Sequence, residues 1–478
     1  MRPALRQFQQ RRRGATAVLA MLYLVLFSTL ALGFYAATTT AVQVSHNDSQ
    51  VSRAFLASES GLDFMRYHMS RVSIPAYAPA ASVTTELASD LKDRLESTGN
   101  FPGLTVGTSG TVINIPAEAG KYIKLDATGN AGFRATITDW PEQGKVVMKV
   151  VGRYGTTTVA RAIQMDFTRV PKDPSIFDFA VASKGQIVMK KGSVTSLDPD
   201  KNHEASMMSA MSATPAIQVT GGTIGGKLTI IKDDPSTPTL ESATILMTGG
   251  SVGGNTNAAE VMDDTYDRAM ETPPTFPEFT TEPYRTLTTT TATGSAGNTI
   301  LKNVRIPAGT NPTFNGNCTL QGIMYIESPN EVTIQGSMNL NGFIVFEGDG
   351  DDSVNRLKIS GNLTSGPLPS SSEFDPIRSA SGVAILAPTT ALTITGSARS
   401  MLKGNVITST FASDGTAQSE VLIDHGTLLT LNESPNSAVF DGKAIKFNGT
   451  GANNLPSLGM GFAAKYDPEP ESYEELLP

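Results

Sequence analysis

The sequence predicts an α+β module followed by an all-β region. A long N-terminal helix, transmembrane and then amphipathic, lies on a small antiparallel sheet, and a C-terminal parallel β-helix-like solenoid follows. Three observations predict this. Residues 15–37 carry no charge over 23 positions and follow five arginines. Beyond them, apolar residues recur at helical spacing as far as Val72. Past Pro171, glycine-punctuated β stretches take over and recur at offsets of 28 and 20 residues.

The first element, 1–14, is a basic leader with Arg2, Arg6, Arg11, Arg12 and Arg13 ending in Gly14. The apolar segment 15–37 would form a helix roughly 35 Å long, enough for a hydrocarbon core of about 30 Å. Leu19, Leu22, Leu24, Leu26 and Leu30 give it apolar surface all round, whereas a helix on a soluble domain shows one apolar face. Tyr23 and Tyr35 stand near its ends, as interfacial anchors do. A removable signal peptide would have an apolar core of roughly 7–15 residues and a small-residue cut site. The longer run here reads as a retained single-pass anchor with membrane lipid as its first partner. All five arginines precede it, so the positive-inside rule places the N-terminus in the cytoplasm and the bulk of the chain in the periplasm or outside the cell.

The extension 38–75 is read as an amphipathic continuation of the same helix. Val44, Val51, Phe55, Leu62, Met65, Met69 and Val72 are spaced by 7, 4, 7, 3, 4 and 3 residues, a heptad seam. Such a stripe needs a cover, either a partner helix or the chain's own domain. Gly61 costs about 1 kcal/mol relative to Ala in a helix interior and reads as a bending point. Pro75 reads as the stop.

Segment 76–170 is read as an α+β module. Leu87, Leu91 and Leu95 mark a helix over 82–98 with Gly99 as its stop. Strands are expected at 111–115, 122–125, 133–140, 145–151 and 157–167, the last two as a hairpin across Gly152-Arg153-Tyr154-Gly155.

Arg11-Arg12-Arg13-Gly14, the apolar helix, and Arg53-Ala54-Phe55-Leu56-Ala57-Ser58-Glu59-Ser60-Gly61-Leu62 resemble the N-terminus of type IV pilin-like proteins, most of all PilX-type minor pilins and the large pseudopilins of type II secretion. The strand, Gly turn and Arg161-bearing strand of 147–167 are similar to that group as well. The resemblance implies leader cleavage between Gly14 and Ala15, and packing against other pilin or pseudopilin subunits through the helix and its seam at Val51, Phe55, Leu62, Met65 and Met69. The family usually carries Glu as fifth mature residue; Leu19 stands there. A major subunit would then leave a terminal amine unpaired in lipid, so the resemblance implies a minor, tip or assembly subunit.

Beyond Pro171 come a glycine-rich β region (171–256), a linker or excursion (257–300), a β-solenoid (301–465) and an acidic disordered tail (466–478). Thr220-Gly221-Gly222-Thr223-Ile224-Gly225-Gly226 recurs as Thr248-Gly249-Gly250-Ser251-Val252-Gly253-Gly254. Thr313-Phe314-Asn315-Gly316, with Leu320, Gly322, Tyr325 and Glu327, is matched 20 residues later by Thr333-Ile334-Gln335-Gly336, with Leu340, Gly342, Val345 and Glu347, and a looser copy begins at Thr393. Leu357-Lys358-Ile359-Ser360-Gly361 falls between them out of strict phase. Repeats of this length suggest stacked coils that bury their apolar sides against neighbours. The alternation of Val332 with Ile334, and of Leu392 with Ile394, puts those residues inward. A β-sandwich of compositionally similar strands is the plainer alternative. The linker reading rests on Asp263, Asp264, Asp267 and Glu271 followed by Pro273, Pro274 and Pro277.

Net charge is −8, of which residues 1–14 carry +5, leaving −13 for the rest, so a nucleic-acid partner is not expected. The single Cys318 leaves no intrachain disulfide. Asp198-Pro199-Asp200-Lys201-Asn202 opens like a calcium loop, but His203 and Ser209 stand where Gly and Glu are required. It reads as a turn, as do Asp349, Asp351 and Asp352. His46, His68, His203 and His425 lack metal-ligand spacing, and Asp424-His425 has no nucleophile motif beside it. No catalytic, cofactor or metal residue is assigned. The expected function is a membrane-anchored structural subunit of a type IV pilus or related assembly, displaying its β region toward a surface glycan or protein. The alternatives are a tethered β-helix enzyme acting on surface polysaccharide and a stand-alone adhesin.

Overall fold

The computed structural model describes residues 4–478 except 97, 99–100, 156–158, 173, 212–214, 232–244, 258–267, 271–273, 379–381, 397–398, 416–418, 456–457 and 477–478. The chain forms two units. The first holds residues 1–74, 78–170 and 464–478, and the second 75–77 and 171–463.

In the first unit, helix α1 (Ala4–Met69) runs unbroken for 66 residues, about 100 Å at 1.5 Å per residue. It ends six residues before Pro75, so proline is not what stops it. Helix α2 (Ala80–Glu96) buries Val83, Thr84, Leu87, Ala88, Leu91 and Leu95, the leucine stripe read from the sequence. The sheet comprises β1 (Gly107–Ser109), β2 (Val112–Ile115), β3 (Ile123–Lys124), β4 (Ala131–Trp140), β5 (Lys145–Tyr154) and β6 (Ala160–Pro171). It runs β1-β2-β4-β5-β6, with β3 beside β4, and neighbours from β1 to β6 pair antiparallel.

One expectation is overturned at the chain's end. Residues 464–476 are not a disordered acidic tail but a strand hydrogen-bonded to β6 as the last member of this sheet. Tyr466 is fully buried there, and Glu469 holds Lys145 at 2.9 Å and bonds Thr168. Charge alone suggested solvation, but a buried aromatic and an ion pair dock the segment.

The second unit is built on parallel pairing. Among the described residues, 26 strands join one sheet, every registered pair parallel. The repeats fix its registers. Ile217–Val219 pairs with Ile245–Met247 at an offset of 28, and Asn317–Ile326 pairs with Ser337–Phe346 at 20 over ten residues. Val332, Ile334, Leu392 and Ile394 are all buried. The out-of-phase segment Arg356–Ile359 lies between Glu331–Ile334 and the strand carrying Thr393, joining them.

The order of stacking departs from chain order. Val181–Ser183 pairs with Met207–Ser209 on one side and with Leu428–Thr430 on the other. Ala444–Asn448 likewise pairs with Ser193–Ser196. The 171–256 region therefore continues the stack from its last C-terminal strands rather than preceding 301–465. Lys172 donates its N–H to the Ala463 carbonyl at 2.9 Å, so the ends of this unit meet. Segment 257–300 is not a bare linker. Glu278–Phe279 pairs with Met460–Gly461, Tyr284 is fully buried, and Thr290–Thr291 and Ala296–Gly297 join the parallel sheet. Asp263, Asp264, Asp267, Glu271 and Pro273 lie outside the described residues.

Candidate membrane and subunit interface

Among the described residues, one helix is long and apolar enough to cross a membrane, α1 from Thr16. From Thr16 to Ser49 every residue is exposed. Leu19, Leu22, Leu24, Leu26 and Leu30 each expose more than half of their surface. Five hydroxyls of this stretch, those of Ser28, Thr29, Thr38, Thr39 and Thr40, are satisfied by the helix itself. Ser28 donates to the Leu24 carbonyl at 2.7 Å, Thr29 to Leu26 at 2.9 Å, and Thr39 to Tyr35 at 2.7 Å. Such back-bonding lets polar side chains enter a medium without water to pair them. Gly14 and Ala15 lie inside the helical backbone of α1.

The second half of α1 is docked. Leu62, Met65 and Met69 of the predicted seam are buried in the first unit's core with Leu87, Leu91, Phe133, Met148 and Phe167. Val51 and Phe55, also predicted, are only half-buried. The true contact line at that end is Ala54, Ala57, Ser58 and Gly61, all small and all buried. A Cβ at Gly152 on β5 would sit 2.2 Å from the Ser58 nitrogen and 2.4 Å from the Ala54 carbonyl oxygen. Strand and helix backbones thus touch directly there. A Cβ at Gly61 would lie 2.4 Å from Cγ of Phe133, so Gly61 is a seat for that ring and not a hinge. A period reading that scores large apolar residues passes over this line. Its signal is four small residues at steps of 3, 1 and 3.

Val51, Ser52, Phe55 and Leu56 of α1, Arg161 and Ala162 of β6, and Glu475 and Leu476 of the last strand line an open groove of about 550 Å³. Leu56 is 59% exposed. Nearby, the Arg53 guanidinium bonds the Tyr154 hydroxyl at 2.7 Å and lies over its ring.

Two titratable groups of the first unit are perturbed. Burial, with Arg94 and Arg71 adding repulsion, lowers the His68 pKa. Burial raises that of Asp139, against a 2.7 Å hydrogen bond that Thr84 donates to its carboxylate.

The remaining candidates do not converge. Asp198 caps the short helix Pro199–Ala205 by accepting from the Asp200 N–H. Asp351 accepts from Ser353, and Asp352 accepts from Ser409 at 3.0 Å and Asn432 at 2.8 Å, so Asp352 braces strands rather than lying free in solvent. His425, in the left-handed region at φ +50°, bonds Asp424 at 2.8 Å. Among the described residues, no group of three or more His, Cys, Asp or Glu is placed to hold a metal.

No family model matches the chain, and no curated protein matches it. Among solved structures, the chain is similar to the competence-associated pilin ComZ from Thermus thermophilus. The alignment has 13% identity, covers 90% of this chain and 99% of that one, and gives a TM-score of 0.22. A superposition that loose fixes neither fold nor function.

Proposed function

We propose that this chain is a membrane-anchored, pilin-like structural subunit, of the minor PilX type, that displays a β-solenoid outside the cytoplasmic membrane. The observation that carries the reading is the division of α1. One continuous helix is exposed and free of Asp, Glu, Lys and Arg from Thr16 to Asn47, and is docked on an antiparallel sheet from Ala54 onward. An exposed apolar rod of that length has no place in water, and lipid or sister helices supply its cover. The arginines preceding it orient the N-terminus to the cytoplasm. The parallel strand stack supports a solenoid that presents polar loops to a surface glycan or protein. The role is assembly and display, without catalysis and without a cofactor.

The test is cell fractionation of a Leu24→Arg, Leu26→Arg variant. Each central arginine costs about 2.5–3.5 kcal/mol on insertion scales. Wild-type chain should pellet with membranes and resist alkaline extraction, and the variant should lose that partition. A variant that remains in the membrane pellet refutes the anchor.

A further inference from the structure

We infer that Trp140, with Thr111, Thr138 and Gln143, forms a binding site for one neutral sugar ring. The site lies wholly in the first unit, apart from the parallel strand stack, and it does not depend on the membrane anchor.

Trp140 is the chain's single tryptophan and closes β4, along which burial alternates. Asp139 turns inward, where Thr84 donates to its carboxylate, so Thr138 and Trp140 turn to the opposite face. The chain then reverses through the short turn Pro141–Gln143. Gly144 closes it in the left-handed region at φ +63°, donating its N–H to the Pro141 carbonyl at 3.3 Å. On the other side, the Asp139 N–H donates to the Thr111 carbonyl at 2.8 Å and fixes Thr111 at the same end of the sheet. These residues line an open hollow of about 310 Å³, at the small end for ligand sites.

The polar and aromatic groups of this hollow are unspent. Trp140 keeps 49% of its surface exposed, although an indole is among the side chains with most to gain from burial. Among the described residues, no ring or cation packs on it. Its ring N–H, the hydroxyls of Thr111 and Thr138 and the amide of Gln143 likewise make no hydrogen bond to another described residue.

Charge decides which ligand fits. Lys145, in register opposite Trp140, is already held by Glu469 at 2.9 Å, and the Asp139 carboxylate lies on the other face. The described lining therefore offers an aromatic face, two hydroxyls, one amide and one indole N–H, with no unanswered charge. A phosphate or carboxylate would find no cation there to offset its desolvation. A wholly apolar ligand would strip water from these polar groups and return no hydrogen bonds. A pyranose answers both demands. Its C–H face carries partial positive charge and stacks on the negative face of the indole. Its ring hydroxyls donate and accept, as the threonine hydroxyls and the glutamine amide require.

The experiment titrates the full-length chain, in a detergent without a sugar headgroup, with the methyl glycosides of glucose, galactose and N-acetylglucosamine. Trp140 fluorescence is the readout, and as the only tryptophan it reports this site alone. A saturable change with at least one of the three sugars is expected, with a Kd in the millimolar range or tighter. Thr111→Val and Thr138→Val should each weaken that binding by about 2- to 10-fold, the loss of one hydrogen bond. Trp140→Ala, read by calorimetry with folding checked by circular dichroism, should abolish the heat of binding. Silence toward all three sugars overturns the proposal, and so does a heat of binding that survives in folded Trp140→Ala. Tighter binding of methyl glucuronide than of methyl glucoside overturns the neutral site. A response confined to an apolar peptide such as Leu-Pro-Leu makes the hollow a protein contact and overturns it as well. Membrane fractionation bears on none of these outcomes, so failure of the sugar site and failure of the anchor are read apart.

Discussion

Substituting Gly61 by Ala sets two effects of known size against each other. Helix propensity favours Ala over Gly by about 1 kcal/mol in a helix interior. Packing opposes it. The added Cβ would lie 2.4 Å from Cγ and 2.7 Å from Cβ of Phe133, where carbon atoms in contact sit about 3.5–4.0 Å apart. The ring has to move by roughly 1 Å, yet Phe133 is fully buried and packs tilted against Phe64, with ring centroids 5.7 Å apart. Overpacking of this kind costs about 1–3 kcal/mol, with the upper end expected at so rigid a site, leaving a net loss of about 1–2 kcal/mol. For a unit of this size that lowers the midpoint by about 2–8 °C. The protein's single tryptophan, Trp140, lies in this unit, so its fluorescence reports the transition. Phe133→Leu should cost less in the Gly61→Ala background than alone, with a coupling of about 0.5–3 kcal/mol between the contacting positions. A higher midpoint for Gly61→Ala, or strict additivity with Phe133→Leu, would refute the close-packed seat and restore Gly61 as a helix weak point.

Other outcomes follow from the same structure. Gly342→Ala places a Cβ 1.8 Å from the Gly322 carbonyl oxygen, and the backbone sits at φ +153°; calorimetry should show the second unit losing stability while the Trp140 transition stays put. Asp139 has a raised pKa in the fold, so its contribution to stability is full below the unfolded value and is lost as pH rises through the folded one. Denaturant midpoints read by Trp140 should therefore carry a fall from acid toward neutral pH that flattens in Asp139→Asn, and an unchanged slope would contradict this. Ending the chain after Ala463 removes Tyr466 from the first unit's core and should cost at least the 3–5 kcal/mol typical of losing a buried aromatic, seen as loss of the cooperative Trp140 transition. Replacing 172–463 by a short glycine linker should leave that transition intact, because Lys172 and Ala463 already meet.

Local signals were legible in the sequence, and long-range ones were not. The span of α2 follows from three leucines at four-residue steps, and the β5–β6 hairpin from its glycine turn. The 20-residue offset between Asn317–Ile326 and Ser337–Phe346 was visible because Leu320 recurs as Leu340 and Gly322 as Gly342, residues that face each other in register on the paired strands. The docking of 181–196 on 428–448 left no such trace, since those strands share no sequence motif. Five acidic residues and three prolines outweigh two tyrosines in the composition of 466–478, whereas the fold is decided by what Tyr466 buries. Along α1, large apolar residues drew the eye to Val51 and Phe55. The backbone contact instead required the small residues beside them, whose role appears only when Gly152 faces them.

The most direct test of the account is the topology of α1 in spheroplasts of a bacterial host producing the full chain. Ser49→Cys and Gln7→Cys variants would be treated with a membrane-impermeant maleimide before and after lysis. The account predicts that Ser49→Cys labels in intact spheroplasts while Gln7→Cys labels only on lysis, both chains remaining in the membrane pellet. Labelling of both sites before lysis, or recovery of either chain in the aqueous fraction, would contradict it.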